Sequence, residues 1–409
     1  MKIFINATPS PFMSASFRSR SGFLRAVLFF LLSSFFMLVS LYIVTHVDIV
    51  DSDFFSFWLA GKMALQGHSP YDEQVWLAGH QMAAADWISD PAFLYPLPLA
   101  ICMAPLSLLD LPIAYAIWVW VSQWILFFIA LRLLALFEGQ ARYFAFPVFT
   151  GLLLFRPLFP LLRNGQLASL VLLCIWVSAE LFIRRRPFWA GWILAFAALK
   201  PNLGVPVLGL FALYLLFSRR FRGLLGIGAG LLTILLVGWL LQPDWMRAYF
   251  DVLTYKQVNT YGYAPSIWGL FFLLTGMNVK GSIWLSVLFC LLIVSAFVFL
   301  VYTRRIGGYY EALSVDISLA VFMTPYLWTY DQILLLIPVV TIMALIHKRG
   351  APFLVSAMFF LLVDVVFLAI LWSSLQIEME NLGALIPLLL FGVLFSLLNR
   401  RELSPATVP

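Results

Sequence analysis

Apolar runs long enough to cross a bilayer recur along nearly the whole chain, and short polar segments separate them. The composition agrees, because 63% of the residues are hydrophobic and only 11% are charged, whereas soluble domains carry about 25% charged residues. A chain with so little charge cannot cover a soluble surface. We therefore predict an all-α, polytopic integral membrane protein that forms one unit over residues 1–409, without a separate soluble domain.

Basic residues orient the predicted spans. Four of them precede or enter the first apolar run, Phe23–Val47, which is too long for a signal-peptide core. Because basic loops stay cytoplasmic, we predict about 12 crossings with both termini inside. The other basic clusters should face the same side; they are Arg184–Arg186, Arg219–Arg222, Arg304–Arg305, His347–Arg349 and Arg400–Arg401.

This arrangement requires that one apolar segment does not cross. We assign Leu94–Leu109, which is short and carries three prolines, as a re-entrant or surface segment. If it crosses instead, Arg142 lies outside and the Asn164–Gln166 loop is inverted. The sequence leaves this alternative open.

Three outer loops follow from this topology, spanning residues 48–92, residues 243–265 and the short segment Ser373–Glu380. Within the first loop, residues Phe54–Leu65 predict an amphipathic helix that stops at Gly67. Two apolar hairpins are also interrupted, at Lys200-Pro201-Asn202 and at Thr324–Gln332. Breaks at membrane depth are tolerated where the backbone lines a cavity or is buried in protein, and both should lie toward the outer side.

Because familiar catalytic motifs are absent, carboxylates are the remaining candidates for catalysis. The sequence lacks GxGxxG, Walker, HExxH and GxSxG patterns and has only four His. Asp53, directly after the first span and beside aromatic residues, is the leading candidate for a general base, and Asp51 is the alternative. A competing interpretation is that one of these acids only caps the following helix. We predict no metal cofactor, because a divalent ion would need folding to bring Asp51, Asp53 and Asp331 together.

Basic and polar residues at the turns suggest an anion site. Lys200, at a helix break, can act as a point charge for a phosphate or extend to the interface. Arg163 and Gln166 lie at a turn that opens an apolar helix, where anions bind readily, although Asn164-Gly165 also suits a plain turn. We expect the other polar residues near the turns and breaks to line a substrate cavity: Tyr95, Asn164, Asn202, Asn259, Tyr330 and Asp331.

Four stretches, in this order, resemble glycosyltransferase family 87, a GT-C-type family of membrane glycosyltransferases. They lie between about residues 30 and 350 and include an acid–aromatic segment, a Tyr-Pro segment, Gly-Gln and Lys-Pro turns, and a final TPYLWTYDQ segment. The second stretch departs from the family pattern, with Tyr95-Pro96-Leu97-Pro98 where adjacent prolines are usual. The stretches are Asp53–Asp72, Phe93–Leu109, Asn164–Leu173 with Ala190–Leu208, and Thr324–Leu336.

The resemblance implies an inverting transfer of mannose or arabinose from a polyprenyl-phosphate carrier to a hydroxyl of a lipid or glycan acceptor. It implies Asp53 as the base, and a site on the outer face of a bacterial-type cell membrane. Lys200, Arg163 and Gln166 would then be candidates for holding the carrier phosphate, and nucleic acid would not be a partner. The alternatives are a transporter or lipid-linked-sugar flippase, whose broken helices would form its substrate site, and an inactive scaffold.

Overall fold

The chain is entirely helical wherever its structure is described. The computed structural model describes residues 14–83, 92–255, 261–303, 306, 308–377 and 379–399. These residues form helices and connecting turns without a β-strand, which confirms the all-α prediction. The α-helices are α1 (Ser14–His46), α2 (Asp53–Leu65), α3 (Glu73–Met82), α4 (Leu97–Ser107), α5 (Leu111–Leu133), α6 (Ala141–Leu154), α7 (Leu158–Arg163), α8 (Ala168–Ile183), α9 (Pro187–Ala195), α10 (Pro201–Phe217), α11 (Phe221–Leu241), α12 (Trp245–Tyr255), α13 (Ile267–Leu274), α14 (Val279–Tyr302), α15 (Tyr309–Met323), α16 (Leu336–Lys348), α17 (Phe353–Ile377) and α18 (Leu385–Asn399). Short 3₁₀ helices cover Leu134–Phe137, Phe196–Leu199, Tyr261–Tyr263, Thr329–Leu335 and Asn381–Ala384.

Seven helical segments among the described residues are long and apolar enough to cross a membrane, which confirms a polytopic membrane protein. Five further apolar helices have only 10–17 residues, so the predicted number of about 12 crossings stays a prediction. One of the five is α4, with 11 residues and Pro105 inside it. A helix of that length rises about 16 Å and cannot span a core of about 30 Å alone.

Basic residues from several of the clusters that the structure describes lie at one end of the helix bundle. Arg132 and Arg184 both pair with Glu180, at N–O distances of 3.4 Å. Lys348 pairs with Glu138 at 2.6 Å. These contacts join the C-terminal ends of α5, α8 and α16, and we call this the basic end. Arg142 lies close by, because Gln140 hydrogen-bonds His347 at 2.9 Å. Whether Leu94–Leu109 crosses the membrane stays a prediction.

The two predicted helix interruptions lie at the opposite end, which we call the break end. The 3₁₀ helix Phe196–Leu199 ends just before Lys200, and α10 starts at Pro201. The second interruption separates α15 from the 3₁₀ segment Thr329–Leu335, which leads into α16. Since α10 and α16 both run from here to the basic end, both interruptions lie on the same side of the bundle.

Glycines let α9 and α11 pack closely, and α9 leads directly toward Lys200. A Cβ added at Gly191 would overlap the Gly223 carbonyl, and one added at Gly226 would overlap the carbonyl of Phe188. Small residues allow such close approach of helices in membranes. This packing holds the hairpin that presents the first break.

Helix α2 begins and ends within one residue of the predicted bounds. Ser52 is its N-cap residue and Asp53 its first helical residue, so the capping role proposed for Asp51 or Asp53 is wrong. Gly67, with φ +75°, ends it, and the His68 N–H bonds the Met63 carbonyl at 2.9 Å, as in a Schellman motif. The expected amphipathic character is also wrong: residues 54–61 are all buried, because α2 packs between α4 and α5.

Candidate active site

Asp53 lies at the break end, on the half-buried first turn of α2. Asp51, two residues earlier, is exposed. The backbone N–H of Phe54 donates to the Asn164 carbonyl at 3.1 Å. The start of α2 is therefore attached to the Arg163–Gln166 turn, which the sequence analysis proposed as an anion site.

Aromatic side chains pack against the point where α2 meets the turn and hydrogen-bond to it. The Phe54 ring stacks on Tyr115, with centroids 5.1 Å apart. Tyr115 donates its hydroxyl to the Arg163 carbonyl, and Trp118 donates to the Gly165 carbonyl at 2.8 Å. Asp53 and Arg163 both lie close enough to the Tyr115 hydroxyl to act on it electrostatically. Tyr115 therefore lies within electrostatic range of both a carboxylate and a guanidinium.

Lys200 is buried and bonded on two sides. Its Nζ donates to Asp331 Oδ1 and to Gln166 Oε1, at 2.5 Å each. It also lies 4.9 Å from the centroid of the Tyr330 ring. Lys200, Gln166 and Asp331 are each at most 2% exposed. Two of the predicted phosphate ligands, Lys200 and Gln166, are therefore engaged with each other in this structure rather than open to a ligand.

The second carboxyl oxygen of Asp331 binds groups at both helix interruptions. It accepts from the Trp328 backbone N–H at 3.2 Å and from Asn202 Nδ2 at 3.4 Å. Asn202 also donates to the Tyr326 carbonyl at 2.9 Å. Asp331 thus has two roles, since one oxygen caps the 3₁₀ segment and the other pairs with Lys200.

The segment after α17 reaches back to this break, which sequence reasoning did not anticipate. The predicted loop Ser373–Glu380 is largely helical, because α17 continues to Ile377. Glu380 Oε2 accepts from the Thr329 hydroxyl at 2.8 Å and from its N–H at 3.0 Å. Gln332 donates to the Gly383 carbonyl at 2.9 Å. No local pattern at Glu380 distinguishes it from a solvated loop acid.

Two arginines flank the six-residue helix α7 at the break end. Arg163, at its C-terminal end, is exposed and is the predicted phosphate ligand that the structure leaves accessible. Arg156, just before α7, is half-buried and was missed by the sequence analysis. Its signal was a lone cation inside the apolar stretch 144–162, a placement that usually marks function in membrane proteins.

Tyr95 lies beside α2 in an aromatic cluster. Its ring is 5.1 Å from that of Phe57 in an edge-to-face arrangement. Its carbonyl accepts from the Tyr71 hydroxyl at 2.8 Å, and the Tyr71 ring lies 5.9 Å from Tyr249 of α12. The first two predicted outer loops therefore meet here. Asn259 lies outside the described residues.

An apolar cavity of about 460 Å³ adjoins the break. Its lining comes from α13, α14, α15 and α18 and includes Ile267, Phe289, Phe322 and Leu388. Ile267 follows Pro265, whose carbonyl accepts from Gln332 at 3.4 Å. The lining of the cavity is therefore only two residues along the chain from a contact with the segment Thr329–Leu335.

Asp51, Asp53 and Asp331 were also the hypothetical ligands of a divalent metal ion. Within the part of the chain that the structure describes, no three His, Cys, Asp or Glu side chains are grouped so that they could hold a metal ion. The hypothetical set of Asp51, Asp53 and Asp331 is therefore not assembled. Asp331 is instead bonded to Lys200, Asn202 and Trp328.

Comparison with known proteins identifies the family. The model of glycosyltransferase family 87 matches residues 93–338, more than half of the chain. The match includes Arg163, Gln166, Lys200 and Asp331 but begins after Asp53. No curated protein and no solved structure matches the chain. The chain therefore belongs to glycosyltransferase family 87 and is a multi-pass membrane glycosyltransferase.

Proposed function

We propose that this enzyme transfers a sugar of the mannose or arabinose type from a polyprenyl-phosphate carrier to a hydroxyl of a lipid or glycan acceptor, with inversion. The observation that carries the proposal is the attachment of Asp53 to the Arg163–Gln166 turn through the Phe54–Asn164 hydrogen bond. This contact brings a carboxylate and an exposed guanidinium to one end of the bundle. Transfer from a phosphate-linked donor needs both.

Asp53 is the proposed general base. Asp53 is half-buried at the start of α2, next in sequence to Phe54, whose ring stacks on Tyr115. Its carboxylate is therefore partly sheltered from water yet accessible to an acceptor hydroxyl. Such a group can accept the hydroxyl proton as the sugar carbon is attacked. Asp51 is exposed and lies outside the helix, so we assign it no role in the transfer.

Arg163 is the proposed first ligand of the carrier phosphate, because a guanidinium binds phosphate oxygens in a bidentate manner. Lys200 and Gln166 lie behind it in a buried pair. They would reach a phosphate only if Asp331 released Lys200. The proposal therefore gives Lys200 mainly the role of fixing the Gln166 turn, with Asn164, Asn202, Tyr330 and Tyr95 as the surrounding walls.

The carrier lipid and the orientation follow from polarity. The apolar cavity beside the break suits a hydrocarbon chain, which supports a lipid-linked donor. If the basic end faces the cytoplasm, as basic loops generally do, the break end is extracytoplasmic. Lipid-linked donors are compatible with that side, and we place the enzyme in a bacterial-type cell membrane with both termini inside.

The alternative of a transporter or flippase has less support. A transporter site formed by broken helices lies near the bilayer midplane. The two breaks here meet at one end of the bundle, and Lys200 and Asp331 close the space between them.

The experiment is transfer by the purified protein in nanodiscs. Radiolabelled mannosyl and arabinosyl polyprenyl phosphates serve as donors, membrane extract supplies the acceptor, and Asp51→Asn and Asp53→Asn are compared with wild type. Product that is lost with Asp53→Asn but kept with Asp51→Asn is expected. Failure of the wild type to use any lipid-phosphate donor would contradict the proposal.

A further inference from the structure

The Arg156 guanidinium is a cation without a direct partner. It is half-buried between α6 and α7. Within the described residues it forms no hydrogen bond and no ion pair, although a guanidinium has five N–H donors. Burial lowers the pKa of Arg156, with Glu380 acting in the opposite direction, which indicates a charge that its surroundings solvate poorly.

An unpaired, partly buried charge is costly to maintain. Such groups are normally paired or hydrogen-bonded, because the loss of hydration is otherwise uncompensated. Lys200, the other basic residue enclosed at this end, follows that rule, since Asp331 and Gln166 bond it from two sides. Among the described residues, this contrast leaves the Arg156 guanidinium available to a ligand.

Arg156 lies near Arg163 and near the segment Thr329–Leu335. Arg156 and Arg163 flank α7, whose length corresponds to roughly 10 Å of helical rise between them. Helix α7 packs against the segment Thr329–Leu335. Glu380 is anchored to Thr329, and its carboxylate is close enough to Arg156 to act on it electrostatically.

We propose that Arg156 is a phosphate ligand that acts with Arg163 to hold the phosphate of a lipid-linked substrate. This inference rests on the proposed function and adds to it a second cation. Two guanidiniums on either side of one short helix can share the oxygens of a single phosphate group. Glu380 opposes the anion and favours its release.

The test measures binding, not transfer, and so is independent of the acceptor. Farnesyl phosphate is titrated onto the purified protein in nanodiscs of uncharged lipid. Farnesol and inorganic phosphate serve as separate ligands that contain only the tail or only the anion. We expect Arg156→Gln to weaken farnesyl phosphate binding about tenfold, to leave farnesol binding unchanged, and Arg156→Lys to fall between.

Glu380→Gln should change the affinity for farnesyl phosphate in the opposite direction. Its amide oxygen can still accept from Thr329, but the negative charge that faces Arg156 is gone. We expect farnesyl phosphate to bind a few-fold more tightly, as expected when a like charge is removed from an anion site. Arg247→Gln is the matched control, because Arg247 lies on α12 at the same end and is 88% exposed; it should change nothing.

Three outcomes would overturn the inference. In the first, Arg156→Gln binds farnesyl phosphate normally while Arg163→Gln does not, which leaves the proposed function standing. In the second, Arg156→Gln and Glu380→Gln lower thermal stability and binding alike, which indicates a structural pair. In the third, nanodiscs with phosphatidylglycerol abolish the difference between wild type and Arg156→Gln, which assigns Arg156 to bulk anionic lipid. Transfer by the wild type, measured separately, shows whether the proposed function also fails.

Discussion

Lys200 Nζ lies 2.5 Å from Asp331 Oδ1, although 131 residues separate the two in sequence. Each residue lies where a helix is interrupted, and neither is more than 2% exposed. The pair therefore joins the two breaks and satisfies charges that would be costly if left alone. It forms the rigid wall against which the Arg163–Gln166 turn is held.

Breaking this pair should destabilise the protein strongly. Lys200→Met leaves the Asp331 carboxylate buried without its cation, and loss of one partner of a buried pair costs about 3–5 kcal/mol. Thermal unfolding in detergent, followed by size-exclusion chromatography after heating, measures the effect. We expect Asp331→Leu to be destabilised comparably.

The double variant Lys200→Met/Asp331→Leu is the control for coupling. Replacing both charges with apolar groups of similar size removes the uncompensated charge, so stability should recover substantially. Additive losses in the double variant would mean that the two residues act independently.

Asp53→Asn should abolish sugar transfer while leaving the fold intact. The amide keeps the shape of the side chain but cannot accept the acceptor proton, and loss of a general base costs on the order of 10²–10⁴-fold in rate. Initial rates with a radiolabelled donor measure it, together with the melting temperature. Asp51→Asn is the matched control, and near wild-type turnover by Asp53→Asn would remove it as the base.

Gly165→Ala should distort the turn beneath Asp53. Gly165 has φ +60°, and an added Cβ would lie 2.6 Å from both Phe54 Cβ and Tyr115 Cε2. The left-handed conformation costs about 1–2 kcal/mol for other residues, and the overlap adds about 1–3 kcal/mol. Melting temperature and transfer rate should both fall.

Gly67→Ala separates backbone strain from overlap. Gly67 also has positive φ, at +75°, but nothing lies within 4 Å of an added Cβ. We expect Gly67→Ala to lose less stability than Gly165→Ala, because only the backbone is strained, and to transfer sugar normally. Equal effects at Gly67 and Gly165 would show that the contacts with Phe54 and Tyr115 are unimportant.

Gly226→Leu should separate α9 from α11 and displace the hairpin that carries Lys200. An added Cβ overlaps the Phe188 carbonyl, so we expect a loss of about 2 kcal/mol or more from overpacking. Gly228→Leu, two residues along the same helix, faces open space and should be neutral. Melting temperatures that fall equally for both variants would contradict the packing described here.

Cysteine labelling tests the orientation of the bundle. In a variant without the three native cysteines, Asp72→Cys should react with an impermeant maleimide added to intact cells, because the break end is expected outside. Arg185→Cys, at the basic end, should react only after permeabilisation. The reverse pattern would invert the topology.

Local patterns predicted the helices and their interruptions with good accuracy. The Lys200-Pro201 and Thr324–Gln332 breaks and the Gly67 stop all depend on chemistry within a few residues, namely proline, glycine and polar groups inside apolar runs. The burial of α2 was not predictable in this way. Its composition suggested a surface helix, and only the packing of α4 and α5 on both sides enclosed it.

The candidate site was anticipated residue by residue but not as an arrangement. Lys200 and Asp331 were selected because they lie at helix breaks, and Gln166 because it lies at a turn that opens an apolar helix. The sequence could not show that they were partners of each other. Glu380 was missed because its significance lies only in what surrounds it. Arg156 was missed although it is a lone cation inside an apolar stretch.

The sequence by itself determined that this chain is an all-helical membrane protein, where its helices break, and to which family it is similar. Those properties follow from hydrophobicity and backbone chemistry, which act over a few residues. Only the tertiary structure decided which charges meet, since Lys200 and Asp331 belong to segments 131 residues apart. It also left Arg163 accessible and, among the residues that the structure describes, gave Arg156 no direct partner, because burial and pairing are properties of packed helices and not of any one of them.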